Sequence, residues 1–278
     1  MKTQEAAAGV RQTVIHPTAV VHSGAEIGEG VTIGPFSVID PDVHIGDGSQ
    51  IESHVVIRQF TTLGANCQIG CGTVLGGEPQ DHKFAGERSY LIIGDNNIIR
   101  EYNTIHRARG EDMATRIGDD NMLMAYCHVG HNCQIGNGNV MANMVGISGH
   151  VVIEDRVVFG GIVGVHQYVR IGKLAMVGGY SKVVQDIPPF MMADGRPTRV
   201  YDLNVIGLRR AGVAPRVRAG LKQAYKLLYR SKLNITQAIE AIEVESDVEP
   251  TEERDYLLDF LRNVKFGFGG RQQESKRK

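Results

Sequence analysis

From Ile15 to Val183 an apolar residue returns at every sixth position, and only Asp81, Glu87 and Glu111 break the series. Gly often follows the apolar residue directly, and a small residue often sits four places after it, as in IGEGVT and IGDGSQ. A period of six matches neither a surface helix nor simple alternation, and self-similarity at a fixed short period predicts a solenoid. Each hexad makes one short flat strand with its apolar residue turned inward. Three hexads close a triangular coil of eighteen residues that bonds only to its neighbours. The register predicts about nine to ten coils, a prism roughly 45 Å long at about 4.8 Å per coil.

Two stretches depart from the pattern, DHKFAGERS from Asp81 to Ser89 and RARGEDMAT from Arg107 to Thr115, and both keep the register modulo six. They predict loops near 76–92 and 106–116 that leave one corner while the coils resume in phase. Loops on a rigid scaffold commonly carry binding residues, although the second, polar loop reads equally well as surface decoration. The rhythm stops at QDIPPF, where Pro188 and Pro189 cannot continue a strand ladder. Residues 190–200 then read as a linker. VYDLNVIGLRRAG, PRVRAGLKQAYKLLYRS, NITQAIEAIEV and PTEERDYLLDFLRNV follow with apolar residues three to four apart, and Pro215 and Pro250 suit first helical turns. The expected organisation is a flexible extension over 1–13, a β-solenoid over 14–189, a small helical domain over 190–266 and a disordered basic tail over 267–278.

Composition agrees: 34 Gly, no Trp and few aromatics fit many short strands with tight corners. A formal charge of −1 gives no general attraction to nucleic acid or an anionic membrane, so any polyanion site must be local. No segment resembles a signal peptide or a membrane span, which points to a cytoplasmic protein without stable membrane insertion. Cys67, Cys71, Cys127 and Cys133 lack C-x-x-C spacing, and three of them occupy a repeat position otherwise held by small residues. They read as small buried hydrophobes.

The candidate chemistry lies in MAYCHVGHNCQIGNGNVMANMVGISGHVVIEDRVVFGGIVGVHQY, which holds His128, His131, His150 and His166 among glycines. After Ile117 residues eighteen apart stack on adjacent coils. Gly130, Ser148 and His166 then form one column, His131, Gly149 and Gln167 a second, and Asn132, His150 and Tyr168 a third. Gly149 leaves room beside His131 and offers a backbone N–H, while His128 stacks under Gly146 and Gly164. Imidazole titrates near neutral pH and can take a proton from a hydroxyl attacking a thioester or ester. A shared metal is a second reading, against which His128 and His131 would not converge on one centre from a flat strand. Histidines that merely decorate a solenoid face are the third.

Several strings resemble the acyl-ACP–UDP-N-acetylglucosamine O-acyltransferases that begin lipid A synthesis. They are QDHKFAGE (80–87), IHR (105–107), HVGHNC (128–133), GHV (149–151), VHQY (165–168), QDIPP (185–189), LNVIGLRR (203–210) and AYKLLYRS (224–231). The resemblance implies a left-handed parallel β-helix followed by a small C-terminal α-helical domain. It implies a homotrimer with sites between neighbouring prisms, and a (3-hydroxy)acyl chain moved from acyl carrier protein to the 3-position of a UDP-amino sugar. It also implies that His131 is the general base and the Gly149 N–H the oxyanion donor. Gln80, Asp81, Lys83, His128, Asn132, His150, His166, Gln167, Asn204 and Arg210 would bind substrate. Lys83 would lie by the acyl or pantetheine portion, and Asn204 and Arg210 by the nucleotide diphosphate. Arg209, Arg216 and Arg218 would be left for the acidic carrier protein. The acyl group arrives on the carrier protein's phosphopantetheine, so the resemblance implies no resident cofactor and no metal. Met176, Gly179 and Met192 are candidates near the acyl groove.

The chain departs from that family at three positions. Asn132 stands where the family usually has an acidic residue after the catalytic histidine, so the base is expected to be weaker. Ile206 replaces a commonly acidic residue, and Ala211 replaces the second arginine of a pair that this chain keeps one step earlier, as Arg209–Arg210. These differences leave open a 3-amino sugar acceptor, a related acetyltransferase using acetyl-CoA, and a non-catalytic scaffold trimer.

Overall fold

The computed structural model describes residues 12–244, 249–264 and 270–271. Its strands are mostly two residues long and stack into three parallel sheets, here faces A, B and C, visited in that order on each turn of the chain. Face A begins at Val14–Ile15, face B at Val20–Val21 and face C at Glu26–Ile27. Partners are eighteen apart where the hexads run unbroken, as in His128↔Gly146↔Gly164. Across the two insertions they stretch to Val74↔Thr104 and Thr104↔His128, and the ladder then resumes in phase. The insertions together use one coil's worth of residues. The prism is therefore shorter than the uncorrected register predicts, with nine strands on face B and eight on face C.

The inward column, from Ile33 through Ile93 to Val183, is buried, and each such Ile or Val contributes roughly 1.5–3 kcal/mol by leaving water. Cys67, Cys127 and Cys133 are buried free thiols. At most corners the residue three places after the inward one takes a left-handed conformation, for example Asp42 (φ 55°), Asn132 (φ 60°), His150 (φ 61°) and Tyr168 (φ 66°). For a side chain other than Gly or Asn that conformation costs about 1–2 kcal/mol, and the ladder over-determines it.

The frequent Gly after the inward residue has a definite cause at the corner leading from face C to face A. A Cβ on Gly28, Gly94 or Gly136 would come within 2.4 Å of the Oδ1 of Asp47, Asp119 or Asp155 respectively, each from the next coil. Those carboxylates accept the N–H of the residue after the glycine, at 2.8 Å for Glu29, 2.8 Å for Asp95 and 2.7 Å for Asn137. The glycine makes room for a side chain that satisfies an N–H the ladder cannot reach.

Beyond the prism the structure differs from the expected linker. Met191–Gly195 and Thr198–Leu203 form an antiparallel hairpin that extends face A by pairing Met192 with Met176. Proline ends the hexads on face C, but the alternating residues that follow can still pair at the open end of the sheet. Among the described residues four helices come next: α1 (Val205–Arg210), α2 (Pro215–Tyr229), α3 (Ile235–Val244) and α4 (Glu252–Val264), with Pro215 opening α2 as expected. Helix α4 is fixed to the upper coils by Tyr256 on Glu154, Lys173 over the Tyr256 ring at 3.8 Å and Arg170 over Phe260 at 4.7 Å. Most of the expected basic tail, and residues 1–11 of the extension, lie outside the described residues. Gly270 and Arg271 do not fit a disordered tail, because they bond the backbone at Asp186 and Val184.

Candidate active site

Both insertions leave the corner leading from face B to face C, and both reach His131, at that same corner. His131 is 9% exposed. Its Nδ1 lies 2.8 Å from Asn132 Oδ1, and its Nε2 faces Gly149, where an added Cβ would sit only 2.6 Å away. From the first loop Asp81 places Oδ2 3.9 Å from His131 Nε2, and from the second loop Arg109 places Nε 3.1 Å from the same oxygen. The Asp81 carboxyl is held below its usual range, first by the N–H of Lys83 and then by Arg109 and His131, against its own desolvation. Glu87 ties the loops together by accepting the N–H of Gly110 at 2.8 Å. Phe84 anchors the first loop on the buried Arg107 guanidinium, which also lies over Phe60. The second loop is therefore part of the site rather than decoration.

Gly149 occupies the corner position that carries a capped N–H on the opposite edge. Here the cap is missing: among the described residues the Gly149 N–H donates to no protein group. A Cβ on Gly130 would lie 2.8 Å from Gly149 N, so that glycine keeps the approach open. His131 Nε2 and an unsatisfied N–H thus face one small space, as deprotonation of a nucleophile beside a developing oxyanion requires.

His150 meets the His131 ring edge-on at 5.1 Å and stacks on Tyr168 at 4.7 Å, as the third column predicts. Burial lowers its pKa, and His131 and Arg109 lower it further. His128 projects onto face B instead, with Nδ1 2.9 Å from Thr104 Oγ1. Burial, then His106, pulls its pKa down to about 4, so the ring is neutral at pH 7. His128, Ser148 and His166 border a groove of about 300 Å³ that runs past Gly146 and Gly164 to Lys182. Nothing lies within 4 Å of a Cβ built on either glycine, so the trench is open. His128 and His131 diverge, and among the described residues no three His, Cys, Asp or Glu side chains gather as metal ligands.

Other expected site residues are less engaged. Gln80 and Lys83 are exposed on the first loop, and Gln167 caps the His131–Gly149 column with its C=O beside His166 Nδ1 at 2.9 Å. Asn204 is engaged within its own chain. Its Oδ1 caps α1 at Gly207 N (2.9 Å) and its Nδ2 donates to Leu174 O (2.9 Å) at the C-to-A corner, a different edge from His131. The hairpin carries the chain to that edge, so within one chain neither Asn204 nor the exposed Arg210 at the end of α1 joins the histidines. The sequence reading missed Arg109, Thr104 and His106. Thr104 pairs with His128 twenty-four positions on, a column visible only once the second insertion is discounted.

Three comparisons bear on this geometry. Residues 186–268 match the family model "Udp N-acetylglucosamine O-acyltransferase; Domain 2", and residues 11–41, 42–77 and 114–149 match the bacterial transferase hexapeptide model. A UDP-N-acetylglucosamine O-acyltransferase structure from Moraxella catarrhalis aligns at 40% identity and TM-score 0.85 over 90% of this chain and 96% of that one. The chain belongs to the UDP-N-acetylglucosamine O-acyltransferase family. Its prism is the left-handed parallel β-helix of that family, followed by the small helical domain. A second family structure, a UDP-N-acetylglucosamine acyltransferase from Bacteroides fragilis, aligns at 37% identity and TM-score 0.87, covering 94% of this chain and 99% of that one. Among curated relatives, the acyl-[acyl-carrier-protein]–UDP-N-acetylglucosamine O-acyltransferase of Gloeothece citriformis is 46% identical over 138 residues, 50% of this chain. In sequence the chain spans about half the length of the curated relatives it matches, 49% in that case.

Proposed function

We propose that this chain transfers an acyl group, a 3-hydroxyacyl chain by preference, from acyl carrier protein to the 3-hydroxyl of UDP-N-acetylglucosamine, the first step of lipid A synthesis. The observation that carries the reading is the pairing of His131 Nε2 with the uncapped N–H of Gly149. His131 Nε2 takes the hydroxyl proton as the sugar oxygen attacks the thioester carbonyl, and the resulting oxyanion accepts from Gly149. Collapse breaks the C–S bond, and the imidazolium returns its proton to the departing pantetheine thiol. This sequence needs neither a metal nor a resident cofactor. Asp81 and His150 flank the sugar, with Gln80, Gln167 and Lys83 at its margins, and the trench past His128 and His166 takes an extended substrate portion.

A homotrimer completes the site in this reading. Phe36, Tyr102, Tyr126, Met144, Ile162 and Tyr180 form an exposed row along the A-to-B edge, on the other side of face B from His131. Such a row favours burial against another copy. A neighbouring prism laid there could bring Arg210 and the groove candidates Met176, Gly179 and Met192 toward the trench, which one chain alone does not. No described helix is long and apolar enough to cross a membrane. Three buried free thiols suit a reducing compartment, and we place the enzyme in the cytoplasm with its two substrates. A second reading, a 3-amino sugar acceptor, is favoured by Asn132, because an uncharged amide gives an imidazolium no electrostatic support and an amine needs less help from a base.

Mass spectrometry of reactions pairing UDP-N-acetylglucosamine or its 3-amino analogue with a ladder of acyl carrier proteins tests both readings. The expected product is the 3-acylated UDP-sugar, and His131→Ala should lower kcat by roughly 10²–10⁴-fold with oligomeric state intact. Turnover unchanged by that substitution would remove His131 as the base. Acetyl-CoA serving where the carrier protein does not would favour a simple acetyltransferase, and absence of both activities a scaffold.

A further inference from the structure

Asn132 is held on three sides. Its own N–H donates to Thr115 Oγ1 at 2.8 Å, its Oδ1 accepts the Arg109 N–H at 3.0 Å, and its Nδ2 donates to the Arg109 C=O at 2.9 Å. The two bonds to Arg109 read the amide in one orientation only. Turned over, it would set NH₂ against N–H and oxygen against oxygen. The second neighbour of Oδ1 is His131 Nδ1, at 2.8 Å. An amide oxygen only accepts, so the ring must carry its proton on Nδ1, which leaves the Nε2 lone pair facing Gly149.

We propose that the Arg109 backbone N–H and C=O and the Asn132 amide form a lock that sets the His131 tautomer, and that this lock requires an amide rather than a carboxylate. The proposal rests on the acyl-transfer reading for its consequence but not for its geometry. A carboxylate at position 132 could still accept from His131 and from the Arg109 N–H. Its second oxygen, however, would stand where Nδ2 now does, about 2.9 Å from the Arg109 carbonyl, with no proton between two acceptors. The substitution Asn132→Asp would thus push the second loop away, even while favouring the imidazolium. The Arg109 side chain is in the same loop and contacts Asp81, so the displacement would reach the other flank of His131. Asn132 is then a positioning residue: it touches no reacting atom and acts through the ring beside it.

Nitrogen-15 NMR of the full-length protein, with the His131 signal assigned by its loss in His131→Ala, reads the tautomer directly. The expected spectrum of the neutral ring shows Nδ1 protonated and Nε2 bare; a ring protonated on Nε2 would overturn the proposal. Asn132→Ala should give a mixture of tautomers and lower kcat by about 10²-fold, while KM for the UDP-sugar changes little. Asn132→Asp should move the acid limb of the rate profile to higher pH and yet lower kcat on its plateau about 10-fold, because the loop contact is lost. A plateau kcat in Asn132→Asp equal to or above that of the parent would sink the amide requirement. Absence of acyl transfer together with an Nδ1-protonated ring would defeat the proposed function and support the lock, so the two ideas fail separately.

Discussion

Two edges of the same prism use one turn for opposite ends. At the C-to-A corner the N–H two places after the inward residue is capped by Asp47, Asp119, Asn137 or Asp155 from the next coil, and a glycine makes room for the cap. At the B-to-C corner the equivalent stack is His131, Gly149 and Gln167, and among the described residues the Gly149 N–H has no cap. Both insertions leave from this second edge, which also holds Asp81, Arg109, Asn132 and His150. Uncapped N–H groups also occur at this turn along the A-to-B edge, at Ser53, Ala125 and Asn143 among the described residues. What sets Gly149 apart is the company its N–H keeps: His131 Nε2 faces the same glycine, with both inserted loops closed around them.

One substitution at each edge puts that contrast to the test, and the larger effect belongs at the open edge. Gly149→Ala places a methyl 2.6 Å from His131 Nε2 and beside the donor N–H. It should lower kcat by about 10²–10³-fold, as loss of an oxyanion donor does. Gly149 has no positive φ, so the backbone tolerates alanine, but the methyl must displace a ring held by Asn132 and His150, at a cost of about 1–3 kcal/mol in stability. A variant that turns over normally would show that neither the N–H nor the ring position matters.

Asp155→Ala makes the complementary change. It removes the acceptor for the Asn137 N–H at 2.7 Å and for Asn137 Nδ2 at 3.2 Å. The expected cost is about 1–2 kcal/mol in denaturant unfolding, with kcat unaltered because the site lies on another edge. A fall in kcat without a fall in stability would mean that the two edges are coupled.

Much of this contrast is legible in the sequence alone. The hexad register gives the inward column, and stacking at eighteen residues gives the approach of His131 to Gly149 and of His150 to Tyr168. The loops were not legible in the same way, because separations of thirty and twenty-four replace eighteen across them. A loop closes on side-chain contacts such as Phe84 on Arg107, not on lattice periodicity. The convergence of Asp81 and Arg109 on His131 therefore had no signature in the repeat. The capping role of Asn204 was not legible either: its bonds to α1 and Leu174 depend on where the hairpin carries the chain. The hairpin over 191–203 was hidden because prolines mark the end of the hexads, not the end of pairing.

The smallest expected effect concerns His128, which belongs to the open edge's neighbouring face and is half-buried against Thr104 and His106. Burial, then His106, holds its pKa down to about 4 in the folded chain, against about 6.5 for a free imidazole. Between those values the unfolded chain takes up a proton that the folded chain refuses. The unfolded state then binds more protons, and stability falls as pH drops from about 6.5 toward 4. His106, whose pKa burial also lowers, works in the same direction. His128→Gln removes one of these two groups and should flatten the slope of the unfolding midpoint against pH in that window, while leaving stability at pH 8 within about 1 kcal/mol. An unchanged slope would mean that His128 takes its proton as readily when folded as when free, and that the trench beside it is wetter than its packing against Thr104 and His106 implies.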